Sequence, residues 1–182
     1  MRFTAHDGHL ISPPPMSSAS ASPPRPGHWL MKSEPEEASI DHLASAPGQT
    51  LPWTGVRNYQ ARNFMRDGMQ AGDGVLFYHS SCAQPGIAGL AEVIGGAQPD
   101  PTQFDPTSPY FDARSKREQP RWLQIDVRLV RKTRLLSLEQ MRATPALATM
   151  QVLKRGNRLS ITPVTPAEWR AVLALLESAA LA

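Results

Sequence analysis

The chain has 182 residues, 41% apolar and 19% charged, enough for one domain with a real core. No run approaches the ~20 apolar residues of a helical membrane span, and Cys82, standing alone, excludes a disulfide framework and a cysteine-based zinc site. A formal net charge of +3 and a pI near 9.4 permit contact with phosphates without demanding it.

Residues 12–27, SPPPMSSASASPPRPG, offer only Met16 as a sizeable apolar side chain. Such a segment cannot offset its ordering entropy, so residues 1–27 are expected to be a disordered tail and residues 28–178 the domain. The same prolines also suit a polyproline II ligand for a partner protein. The N-terminus has no signal-peptide plan, and a cytoplasmic protein is expected.

HWLMKS (28–33) alternates, with Trp29, Met31 and Ser33 on one side and His28, Leu30 and Lys32 on the other, which predicts a strand. Ser39 is the expected N-cap of a short helix, IDHLAS. Residues 58–69 read as a second helix, with Asn58 as a plausible cap. GVLFYH (74–79) and residues 87–94 are strand candidates. Residues 98–120 carry five prolines and little periodicity, a loop of the length that usually has a function or no order. WLQIDVRL (122–129) alternates again. Ser137 is expected to cap a helix, residues 159–161 to form a short strand, and Thr165 with Glu168 to cap a last helix through a T-x-x-E box. That helix is expected to bury Trp169, Val172, Leu173 and Leu176. The order β-α-α-β-β-β-α-β-α, with non-local pairing of the first strand, suggests an α+β fold: a curved mixed sheet, barrel-like, flanked by short helices.

Five ordered blocks then stand out: WLMKSEP (29–35), WTGVRNYQARNFMRDGM (53–69), GDGVLFYHSSC (72–82), PGIAGLAEV (85–93) and RWLQIDV (121–127). Together they resemble the EVE domain, as found in bacterial relatives of thymocyte nuclear protein, over roughly 150 residues. The family is similar to PUA and YTH domains, so the resemblance implies a PUA-like pseudo-barrel. It also implies a module that reads modified bases in DNA or RNA, a modified cytosine or a methylated adenine, without cofactor, metal or membrane partner.

A base lifted from its stack needs flat apolar faces and polar groups at its edge. Trp53, in a Pro-Trp-Thr-Gly stretch, is the candidate flat face; the alternative is a plug at the end of the barrel. Trp29, Trp122 and Trp169 read as core. Tyr110, in the long loop, is the candidate second wall. Lys32, Ser33 and Glu34 resemble the polar residues beside the YTH base, with Glu34 placed to accept from an exocyclic amine. Asn58, His79 and Ser80 complete the expected pocket, although a cap for Asn58 and a structural role for His79 stay open. Arg57, Arg114, Lys116, Arg155 and Arg158 are the expected phosphate contacts.

One enzymatic alternative remains, a small amidohydrolase of the ASCH kind acting on modified nucleosides through Lys32, Ser33 and Glu34. Adjacent strand residues face opposite ways, which argues against their convergence.

Overall fold

The computed structural model describes residues 27–178. The tail expected at residues 1–27 lies outside this range except for Gly27. The Gly27 amide donates to Asp73 at 2.7 Å and its carbonyl accepts from the Gly74 amide at 3.0 Å, so this residue is joined to the domain.

Seven strands form one open, mixed sheet: β1 (His28–Ser33), β2 (Thr50–Trp53), β3 (Gly74–His79), β4 (Gly86–Val93), β5 (Gln98–Pro99), β6 (Leu123–Ser137) and β7 (Ile161–Pro163). The path runs β2-β6-β4-β3-β1-β7, with β5 on β6. Only β1 and β3 are parallel; the other pairs are antiparallel. Four short helices flank it: α1 (Ile40–Ser45), α2 (Tyr59–Asn63), α3 (Leu138–Ala143) and α4 (Pro166–Ser178). This is the α+β, PUA-like pseudo-barrel expected, with a sheet that curves without closing.

Alternation explains why both sheet faces are covered. Along β1, Trp29 and Met31 enter one core cluster while Leu30 enters the other; along β3, Val75 and Phe77 are opposed to Leu76 and Tyr78. A bulge in β4 at Ala88 shifts its register with β3 between Phe77 and Tyr78, and irregularities in β6 shift its register with β4 on either side of Gly89 and Leu90, which adds curvature. Gly89 meets α1 closely, since a Cβ there would lie 2.5 Å from Ile40 Cδ1.

Several elements differ from the sequence expectation. β2 is an edge strand that the sequence reading missed; Pro52 is tolerated there because an edge residue can face away from the ladder. β6 runs on to Ser137, well past Leu129, because its backbone keeps pairing with β4 while exposed Val130, Arg131 and Lys132 break the apolar alternation. Trp122 precedes the strand. The helix read over residues 58–69 is one α-turn continued by a π-turn, Phe64–Gly68, closed by the Met69 amide on the Phe64 carbonyl at 2.9 Å. The last strand falls at Ile161–Pro163, two residues later than expected. In α4, Val172 and Leu176 are buried, whereas Trp169 and Leu173 are half-buried because the helix lies on the rim of its cluster.

The caps follow expectation. Ser39 and Ser137 cap α1 and α3, each within a reciprocal box. Before α4, the Thr165 amide donates to Glu168 at 2.8 Å and the Glu168 amide donates to the Thr165 hydroxyl at 3.2 Å. No helix among the described residues is long and apolar enough to cross a membrane.

Candidate functional site

Parallel pairing puts the C-terminal ends of β1 and β3 side by side, and antiparallel β7 begins beside them. The Lys32 amide donates to the Ser160 carbonyl at 2.8 Å, and the Ser80 amide to the Ser33 carbonyl at 2.8 Å. Three strand ends therefore meet at one edge of the sheet. The turn after β1 is held by the Glu37 and Ala38 amides, both donating to the Glu34 carbonyl, and by the Ser33 hydroxyl donating to the Ala38 carbonyl.

Opposite this edge stand the end of β2, the stretch Thr54–Arg57 and the tip of the long loop. Between them lies a cleft of about 610 Å³, bordered by Lys32, Ser33, Glu34, Glu37, Leu51, Pro52, Trp53, Gly55, Val56, Arg57, Ser80, Ser81, Pro109, Tyr110, Arg158 and Ser160, among others. That volume falls in the range of roughly 300–1,000 Å³ usual for small-ligand sites.

Tyr110 is fixed from three sides. Its carbonyl accepts from Arg57 Nε at 2.8 Å, and its hydroxyl donates to the Glu37 carboxylate at 2.6 and 2.7 Å. Its ring also presses on Gly55, where a Cβ would come within 2.8 Å and where φ is +77°. Glycine is needed there on both grounds. Burial, then the Glu37 carboxylate, push the Tyr110 phenol up to about 12, so it remains a neutral donor.

Asp100, fully buried, organises this wall: it accepts from the Gly55 amide at 2.9 Å, from Arg57 Nη1 at 2.8 Å and from the Thr102 amide at 2.8 Å. Burial pushes its carboxyl up, but these hydrogen bonds outweigh it and leave it below the usual carboxylate range. Farther along the loop, Gln103 bonds the Asp100 and Trp122 carbonyls and accepts from Ser115, Arg121 and Trp122. Asp112 accepts from Trp122 Nε1 at 2.8 Å, which with the Arg114 amide lowers its carboxyl to about 2. The long loop is thus a hydrogen-bonded structure of its own.

Of the expected pocket residues, Lys32, Ser33, Glu34, Trp53, Ser80 and Tyr110 do border one cleft; Asn58 and His79 do not. The Asn58 side chain caps α2, accepting from the Gln60 and Ala61 amides. His79 Nε2 accepts from the Ile40 amide at 3.0 Å and so serves α1. Trp53 combines both roles weighed for it: it is 7% exposed in the core, edge-on to Phe77 at 5.3 Å, and it borders the cleft. Lys32 is half-buried, and burial lowers its ammonium below the usual lysine range.

Arg57 corrects a second expectation. Its five N–H groups are engaged by Asp100, Thr102, the Val56 carbonyl and, twice, the Tyr110 carbonyl. It holds the wall and has no donor left for a phosphate. Arg158 is exposed at the cleft, whereas Arg114, Lys116 and Arg155 are exposed away from its lining. Arg114 faces Asp112, and Arg128, Arg131 and Lys132 on β6 face Glu92, Glu177 and Asp41.

Glu37, Gly55 and Asp100 were missed by sequence reasoning. Only Asp100 carried a signal, the Asp-Pro pair of an N-cap followed by proline at N1. The Ser33 hydroxyl is tied to the Ala38 carbonyl. No group of three His, Cys, Asp or Glu able to hold a metal occurs among the described residues.

The EVE domain family matches residues 27–175. Human thymocyte nuclear protein 1 is 44% identical over 167 residues, covering 82% of this chain and 74% of its own length. A solved structure from Pseudomonas putida superposes with a TM-score of 0.77 at 47% identity, covering 81% of this chain and 98% of its own. Human THYN1 in complex with 5-methylcytosine-containing DNA superposes with a TM-score of 0.78 at 43% identity, covering 83% of this chain and 98% of its own. An ASCH protein from Zymomonas mobilis reaches a TM-score of 0.50 at 11% identity, a likeness of fold alone, so amidohydrolase chemistry does not carry over. Ordered sequence blocks, sheet topology and similarity along the domain agree: this chain belongs to the EVE domain family.

Proposed function

We propose that this protein is a non-catalytic reader of modified DNA, holding one modified base, a methylated cytosine foremost, in the cleft at the ends of β1 and β3. The observation that carries this reading is the unfilled cleft of about 610 Å³ that gathers Lys32, Ser33, Glu34, Trp53, Ser80 and Tyr110 around one space. The human relative bound to 5-methylcytosine-containing DNA supports it.

Tyr110 and the bordering part of Trp53 replace base stacking, while Leu51, Pro52 and Val56 give a base-borne methyl group apolar contact. Arg158 at the rim, with Arg155 and Lys116 farther out, holds phosphates; Arg114 and the β6 cations, already facing acids, contribute less.

The test compares duplexes carrying 5-methylcytosine or cytosine at one position, by fluorescence anisotropy, with wild type and Tyr110→Ala. Wild type should prefer the methylated duplex. Losing a stacking ring costs about 1–3 kcal/mol, so the variant should bind it roughly tenfold more weakly while keeping its residual affinity for plain DNA. Equal wild-type affinity for both duplexes, or an unchanged preference in the variant, would refute the reading.

A further inference from the structure

A protein that reads 5-methylcytosine faces a competitor present throughout DNA. Thymine carries the same 5-methyl group on the same ring, so neither stacking nor a methyl contact separates the two. They differ along the pairing edge. Cytosine offers an acceptor at N3 and a donor at the exocyclic N4, whereas thymine offers a donor at N3 and an acceptor at O4. A site that rejects thymine must present a donor and an acceptor in the complementary order.

Lys32 and Glu34 supply that pair. Lys32 lies near the end of β1 and Glu34 just beyond it, at the start of the turn that follows, and both border the cleft. Lys32 has only donors and Glu34 only acceptors. Neither carboxylate oxygen of Glu34 has a hydrogen-bond or ion-pair partner among the described residues, and the same is true of the Lys32 ammonium. Glu37, the other acid bordering the cleft, is occupied by the Tyr110 hydroxyl. One carboxylate is therefore committed to the wall and one is free for a ligand. The free one sits on a turn held by the Glu37 and Ala38 amides and by the Ser33 hydroxyl.

We propose that Lys32 and Glu34 together make the cleft selective for amino-type bases over keto-type bases. The ammonium donates to the ring acceptor, N3 of cytosine or N1 of adenine, and the carboxylate accepts from the exocyclic amine. Thymine and uracil reverse both positions, setting N–H against ammonium and carbonyl against carboxylate, and are excluded although they fit by shape. This rests on the base-reading function proposed above and specifies its substrate class.

The experiment uses the full chain and duplexes with 5-methylcytosine, cytosine or thymine opposite an abasic site, so that no pairing energy differs between them. Wild type should bind the 5-methylcytosine duplex at least about tenfold more tightly than the thymine duplex. In Glu34→Gln the amide can turn to donate to O4, so this ratio should fall to about threefold or less while the preference of 5-methylcytosine over cytosine persists. Glu34 is exposed and its carboxylate has no partner among the described residues, so the thermal melt of Glu34→Gln should be unchanged. Wild type binding thymine as tightly as 5-methylcytosine, both above cytosine, would overturn the proposal and leave base reading standing. A wild-type ratio retained in Glu34→Gln would overturn it too. Equal binding of all three duplexes would remove the base-reading function itself.

Discussion

On the function proposed above, individual residues around the cleft divide into those that a ligand meets and those that hold the walls. Trp53 belongs mainly to the second group. Only 7% exposed, it is expected to cost about 3–5 kcal/mol as Trp53→Ala, seen as a lower denaturation midpoint, with binding lost because the fold is lost. A normal melt with abolished binding would instead make it a pure ligand contact. His79 is a wall residue of another kind. Its Nε2 must be unprotonated to accept from the Ile40 amide, and burial lowers its pKa while Asp41 works in the opposite direction. A lowered folded pKa means that the unfolded chain takes up the proton first. Its stability contribution is present above the unfolded value, near 6.5, and is lost as pH falls through the folded one. Denaturation midpoints should therefore drop between pH 7 and pH 5, and less steeply in His79→Gln. Part of the slope will remain, because burial also lowers His28. Equal slopes in both proteins would exclude His79 as the cause.

At the level of elements, how much could be read in advance depended on whether a segment's role is written in its own side chains. The caps of α1, α3 and α4 are local hydroxyl–backbone bonds, so Ser39, Ser137 and Thr165 announced them. Alternating β1 and β3 were equally legible. β2 was not: Thr50–Trp53 is a strand only because β6 lies beside it, and Pro52 argued locally against it. The π-turn after α2 was hidden too, since it depends on Gly68 fitting against Trp29, where a Cβ would meet the indole at 3.0 Å. The site follows the same division. Lys32, Ser33, Glu34 and Tyr110 could be picked out through family resemblance, but the Asp100–Arg57–Tyr110 wall joins residues more than forty positions apart and leaves no periodic trace. Among the caps, Glu168 gives a direct test. It is 4% exposed and also accepts from the Thr149 hydroxyl at 2.6 Å, so Glu168→Ala strands two donors, the Thr165 amide and that hydroxyl. It should destabilise by about 2 kcal/mol in urea titrations while leaving DNA affinity unchanged, because α4 lies away from the cleft. Weakened binding at full stability would contradict this.

Across the whole molecule, β1 has the longest reach. Its inner side pairs with β3 through six residues, and its outer side takes Ile161, Thr162 and Pro163 opposite Met31, Leu30 and Trp29. A chain emerging from the ribosome therefore makes its first strand early and closes that strand's outer edge only after some 130 further residues. Until then the edge is an open template for pairing with another copy. A fragment ending at Arg158 should accordingly self-associate or stay protease-sensitive, and a peptide spanning residues 159–178 should restore a protected monomer. A fragment that is monomeric and protected by itself would show that β7 and α4 merely decorate a finished fold. The late arrival of that strand also delivers Ser160 and the approach from Arg158 to the cleft, so the ligand site would be completed in the same step that shields the nascent chain from its neighbours.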